Sequence, residues 1–188
     1  GNHGEDAKES WYYLDSTPTH SYARGLYKYP QRRYPYESLR EASARRSKLD
    51  REFEIQDTGI FDDHRYFDVF VEYAKASPED ILIRLSIHNR GPDAASLDVL
   101  PQLWFRNTWA WGACHGAVTE RPELRLGGRA RVTARHAELG EFAFRVEREA
   151  PWYFTENETN TEALYGVPNS VAYVKDAFHH AVVDRRME

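Results

Sequence analysis

Residues 66–89, YFDVFVEYAKASPEDILIRLSIHN, constrain the fold more tightly than any other stretch. Phe67, Val69, Val71 and Tyr73 alternate with Tyr66, Asp68, Phe70 and Glu72. After the SPED turn, Ile81, Ile83, Leu85 and Ile87 alternate with Arg84, Ser86 and His88. A hydrophobic period of two belongs to a strand with one face turned inward. NRGPDA then reads as a turn. SLDVLPQLWF predicts a further strand through Leu97, Val99, Leu103 and Phe105, with Pro101 marking an edge or a bulge. RARVTARH and EFAFRVERE flank AELG, a short hairpin connection. Five or more strands joined by tight turns predict a mainly β chain, an antiparallel β-sandwich with a few short helices.

Outside this block the period is lost. Residues 1–34 mix Tyr with Pro and turn residues and read as extended or irregular structure pinned by aromatics. Residues 35–49 predict a surface helix, with Pro35 in its first turn and Leu39, Ala42, Arg46 and Leu49 on one face. Its arginines are interleaved with Glu37, Glu41, Asp50 and Glu52, the pattern of a solvated face. The organisation expected is therefore an aromatic-rich segment plus helix at 1–51 and a sandwich at 52–188. That sandwich carries a loop and helix excursion at about 151–181, with Asn160 or Thr161 as an N-cap and Gly166 just past the helix end. A second helical turn follows, capped by Asn169 or Ser170. The chain opens GNHGEDAKES, without Met or a targeting segment, and ends just after an apolar pair. Both ends read as cuts in a longer polypeptide, so the domain is expected to be incomplete.

Charge and composition exclude several classes. A net charge of −5 over 188 residues argues against nucleic acid and anionic membrane as partners. No segment reaches the roughly 18 apolar residues of a membrane span. Cys114 is the lone cysteine, which rules out an internal disulfide and fits a reducing, cytoplasmic setting; it reads as a small packing residue. Twelve Tyr and five Trp in a polar chain imply aromatics that are half exposed, on a binding face or against another domain. Self-association of the isolated chain follows from such a surface.

Three of the five tryptophans fall in WFRNTWAWG, Trp104 to Gly112. In an extended chain Phe105, Asn107, Trp109 and Trp111 share one face, and Trp104, Arg106, Thr108 and Ala110 the other. Neither face is purely apolar. Aromatic faces beside amide and guanidinium donors suit a sugar, with Arg106, Asn107, Trp109 and Trp111 as candidate ligands. The plainer alternative is that Trp109 and Trp111 cap a core or an interface while Arg106 pairs with a carboxylate. In TENETN, Glu156, Asn157 and Glu158 are further candidates for binding hydroxyls. Glu156 and Glu158 point the same way in an extended segment, so they do not flank a scissile bond as an acid and base would. A solvated loop is the alternative. Asn157-Glu158-Thr159 also matches a glycosylation acceptor, relevant only in a secreted eukaryotic protein. His3, Glu5 and Asp6, or Asp62, Asp63, His64 and Asp68, match no standard metal spacing, and His179 and His180 diverge on a helix. No metal site, cofactor motif, phosphate loop or nucleophile motif is expected.

The phrases GNHGEDAKESWYYLDSTPTHSY, LYKYPQ, DTGIFDDHRYFDVFVEYAKASPEDILIRLSIHNRGP, LPQLWFRNTWAWG and FTENETNTEALYGVPNSVAYVKDAFH resemble the N-terminal region of large bacterial glucosidase-like proteins. These are related to the mannosyl-oligosaccharide glucosidases of glycoside hydrolase family 63. The resemblance spans nearly the whole chain and is weakest in the arginine-rich helix and at 113–150. It implies a sandwich of the supersandwich type that precedes an (α/α) toroid. The toroid would hold the two carboxylates of an inverting hydrolase and the oligosaccharide between them. No carboxylate of this chain is then catalytic, and the chain alone would be inactive. Its aromatics would face the toroid or rim the sugar pocket.

Overall fold

A computed structural model describes residues 10–111 and 120–185. They fall into two compact units, divided between Leu97 and Asp98. The architecture is mainly β, with two antiparallel sheets and three short helices among the described residues. That is the fold class the alternating pattern implies.

The first unit holds a four-stranded sheet in the order β1-β2-β3-β4: β1 Trp11–Ser16, β2 Tyr22–Pro30, β3 Tyr66–Ser77 and β4 Asp80–Asn89. Within residues 11–30, expected to be extended or irregular, two regular strands form, joined by a turn. Their tyrosines obscured the alternation, because a Tyr is at home on either face of a sheet. Register puts Trp11, Tyr27, Val69 and Ile87 in one row across the sheet, and Tyr13, Gly25, Val71 and Leu85 in the next. This face is apolar. The opposite face is charged: Asp68 accepts from Lys28 Nζ at 2.9 Å and from Arg90 Nε at 2.7 Å. Beside it, Glu72 accepts from Arg84 Nε at 2.8 Å and from the Tyr22 hydroxyl at 2.7 Å. The Arg24 guanidinium lies 4.9 Å from the Phe70 ring centre.

Helix α1, Tyr36–Ala44, buries Leu39. It stops five residues short of the expected end, and Leu49 is exposed. Asp50 explains the stop. Its carboxylate accepts from the Ser47 amide at 2.7 Å and the Ser47 hydroxyl at 2.9 Å, a local turn that competes with another helical turn. Ile55, Ile60 and Phe67 are also buried in this unit.

The second unit holds β5 Glu123–Gly128, β6 Arg131–His136 and β7 Gly140–Arg145, in that order. Leu124 and Leu126 pair with Ala134 and Val132, which pair with Phe142 and Phe144. One face is therefore apolar, and its centre, Val132 and Ala134, is buried. Most intervening positions, among them Glu123, Arg125, Thr133, Arg135 and Glu141, are charged or polar, as expected of a half-buried antiparallel sheet. The strand expected over SLDVLPQLWF does not form; residues 90–108 are outside any sheet. Pro101 contributes no amide donor to a ladder, and side chains hold this segment in place instead. The excursion after 151 carries α2 Thr161–Tyr165 and α3 Phe178–Val182. Asn160 caps α2, its side chain accepting the Ala163 amide at 3.0 Å, and Gly166 closes it with φ +68°. Asn169 does not cap the last helix: it accepts from the Glu162 amide and Thr161 hydroxyl, folding the excursion back on itself. Helix α3 starts eight residues after Ser170, at Phe178, with Ala177 at its N-cap.

Candidate functional site

The segment that precedes β5 and the excursion that follows β7 meet at Glu158. Its carboxylate accepts the Trp109 indole N–H at 2.7 Å on one oxygen and the Asn107 amide at 3.2 Å on the other. Asn107 Nδ2 also donates to the Asn157 carbonyl at 2.8 Å. In return Asn157 Nδ2 donates to the Phe105 carbonyl at 2.6 Å. Two asparagines thus exchange side-chain-to-backbone bonds between segments that have no strand pairing. Asn157 has φ +53°, a left-handed conformation that asparagine tolerates better than most residues. That turn lets Glu156 and Glu158 converge on one cation.

The cation is Arg121, which no motif in the sequence had singled out. Its terminal nitrogen lies 3.0 Å from a Glu156 carboxylate oxygen and 3.4 Å from Glu158 Oε1, and donates to the Glu156 carbonyl at 2.7 Å. Its guanidinium carbon sits 5.2 Å from the Trp109 ring centre. One face of Trp109 is therefore covered and its N–H engaged. The signal that could have found Arg121 is weak: an arginine just before a proline and a strand, with two carboxylates 35 and 37 residues downstream.

The geometry brings together Asn107, Trp109, Glu156, Asn157 and Glu158. Trp111 ends the 3-10 turn of Trp109–Trp111, and its side chain lies outside the described residues. That turn breaks the shared face expected for 105–111. Arg106 is exposed, and its carbonyl accepts the Thr108 amide at 2.9 Å. Both glutamates face one guanidinium, so they do not oppose each other across a gap that a glycosidic bond would fill. Asn157 Nδ2 is committed to a backbone carbonyl, which removes it as a free glycosylation acceptor. Among the described residues no group of three or more His, Cys, Asp or Glu is placed to hold a metal ion. Asp68 is instead bonded to two cations and Asp63 pairs with Arg32 at 3.4 Å. His3, Glu5, Asp6 and Cys114 lie outside the described residues.

Beside this cluster opens a cleft of about 1520 Å³, whose lining among the described residues comes from the second unit. Its floor includes Leu124, Val132 and Phe144 from the apolar face of the sheet. Its walls carry Trp104, Phe105, Trp109, Trp152, Tyr153 and Phe154, with Glu156, Asn157 and Lys175 among the polar groups. His136 lines it too. Its ring lies 5.4 Å from that of Phe105, and its Nδ1 accepts the Glu138 amide at 3.1 Å.

Comparison with known proteins finds one curated relative of relevance. The chain is 36% identical, over 222 aligned positions, to the uncharacterized protein YMR196W of Saccharomyces cerevisiae. The alignment takes in the whole chain and 20% of the yeast protein, so the chain spans about a fifth of that relative's length. No family model and no solved structure matches the chain. No helix among the described residues is long and apolar enough to cross a membrane.

Proposed function

We propose that this chain is the N-terminal sandwich portion of an inverting, α-glucosidase-like glycoside hydrolase. In this reading it rims or supports the sugar pocket of an (α/α) toroid contributed by the rest of the polypeptide. The observation that carries the reading is the second unit's cleft, lined by eight Phe, Tyr and Trp side chains and edged by amide, carboxylate and ammonium groups. Such a lining suits a ligand with apolar C–H faces and many hydroxyls. The Glu158 network holds the two segments that form its walls, so the walls need little reordering when a sugar enters. The carboxylates that would activate water belong to the remainder of the polypeptide.

The test is kinetic. The full-length protein should hydrolyse α-glucosides with inversion, and the 188-residue chain should not. Trp109→Ala in the full-length protein should raise KM or lower kcat. A full-length protein inert towards every α-glucoside sinks the hydrolase reading. Lost stability with unchanged kinetics would leave a structural support. A second reading, a self-sufficient carbohydrate-binding module, is favoured by the described lining residues all falling between 98 and 185; sugar binding by the isolated chain would support it.

A further inference from the structure

The tryptophans of the cleft are not equivalent. Trp109 has its N–H on Glu158 and a guanidinium over its ring. Trp152 donates its N–H to the Arg129 carbonyl at 2.9 Å, and the Phe144 ring stands edge-on to it at 6.1 Å. Trp104 has neither kind of partner among the described residues, and 64% of its surface is exposed although it lines the cleft. An indole left bare in a concave site forfeits the burial that normally makes tryptophan favourable. Gln102, two residues earlier, and Lys175, on the excursion, also line the cleft, and neither side chain has a hydrogen-bond partner among the described residues.

We propose that Trp104 is the platform on which a neutral hexopyranose ring stacks, with Gln102 and Lys175 hydrogen-bonding its hydroxyls. The inference rests on the carbohydrate reading of the cleft and moves the aromatic contact from Trp109, one of the candidates read from the sequence, to Trp104. Trp109 becomes a positioning residue that acts through Glu158. A neutral sugar fits better than an anionic one, because among the described residues the cleft is lined by five Asp and Glu side chains against four Lys and Arg. Arg121 is bonded to Glu156 and Glu158, and Arg185 to Asp98 at 2.9 Å.

The test uses the full-length protein with maltotriose as the probe, read by calorimetry and by hydroxyl-radical footprinting of each tryptophan. Maltotriose should protect Trp104 from oxidation and leave Trp109 unchanged. Trp104→Ala should weaken binding about tenfold or more without lowering Tm, and Trp104→Phe should restore part of it. Heat of binding with no protection at Trp104, or with Trp104→Ala binding like the wild type, overturns the assignment and leaves the carbohydrate reading standing. No heat from the wild-type protein with maltotriose, cellotriose or nigerotriose overturns both.

Discussion

At Glu158 two oxygens serve three donors, so the cost of losing them can be stated. Glu158→Ala strands the Trp109 indole N–H in a half-buried setting and removes one of the two acceptors of Asn107 Nδ2, which should cost about 1–3 kcal/mol. Urea unfolding of the variant measures it, and a Trp109→Phe, Glu158→Ala cycle should be clearly non-additive because the two share one bond. Asn157 makes a sharper test. Asn157→Gly keeps the left-handed backbone and loses only the bond to Phe105, whereas Asn157→Ala loses both. The alanine variant should therefore be the less stable of the two. Equal stabilities would mean that the backbone conformation at 157 is not under constraint.

The four-stranded sheet concentrates its charge on one face. Burial raises the Asp68 carboxyl, but hydrogen bonds from Lys28 and Arg90 outweigh it, and the group is held below the usual carboxylate range. A carboxyl lowered on folding adds stability that is complete above its unfolded value and disappears as pH falls through its folded one. The melting temperature should therefore drop as pH falls below about 4. Glu72, lowered first by the Tyr22 hydroxyl and then by Arg84, acts in the same sense. Asp68→Asn should cost about 2 kcal/mol at neutral pH and flatten the acid limb; a limb as steep as the wild type's would show that Asp68 does not contribute to it. On the other face, a Cβ added at Gly25 would come within 2.5 Å of the Trp11 ring. Gly25→Ala should displace that ring from the sheet and destabilise by about 1–3 kcal/mol, seen as a shifted Trp emission maximum.

For the molecule as a whole, the balance of apolar surface is unusual. Trp11, Tyr73, Ile81, Ile83, Leu85 and Ile87 lie on one face of the first sheet and all are exposed, the isoleucines 81 and 83 by 51% each. Soluble proteins cover contiguous patches of this kind, and β4 is in addition a long apolar edge strand. The isolated chain should therefore self-associate with rising concentration, and Ile83→Lys should reduce this. Light scattering decides it: a monomeric mass at high concentration would show the face to be tolerated.

Much of this was legible from residue spacing. The alternation at 66–89 and 131–145 determined strands, which side chains share a face and the β class, because side chains on a strand can only point to two sides. Asn160 and Gly166 determined where α2 begins and ends, since capping is a local bond. WFRNTWAWG and TENETN marked both segments of the candidate site. Other features were decided only by the tertiary structure. Whether Tyr12, Tyr27 and Tyr29 belong to strands depended on β3 lying alongside to pair with β2. Arg121 joined the site through contacts 35 or more residues away in sequence, which no local pattern encodes. The difference between Trp104 and Trp109 was settled the same way. Both are tryptophans five residues apart; one found a carboxylate and a guanidinium across the fold, and the other did not.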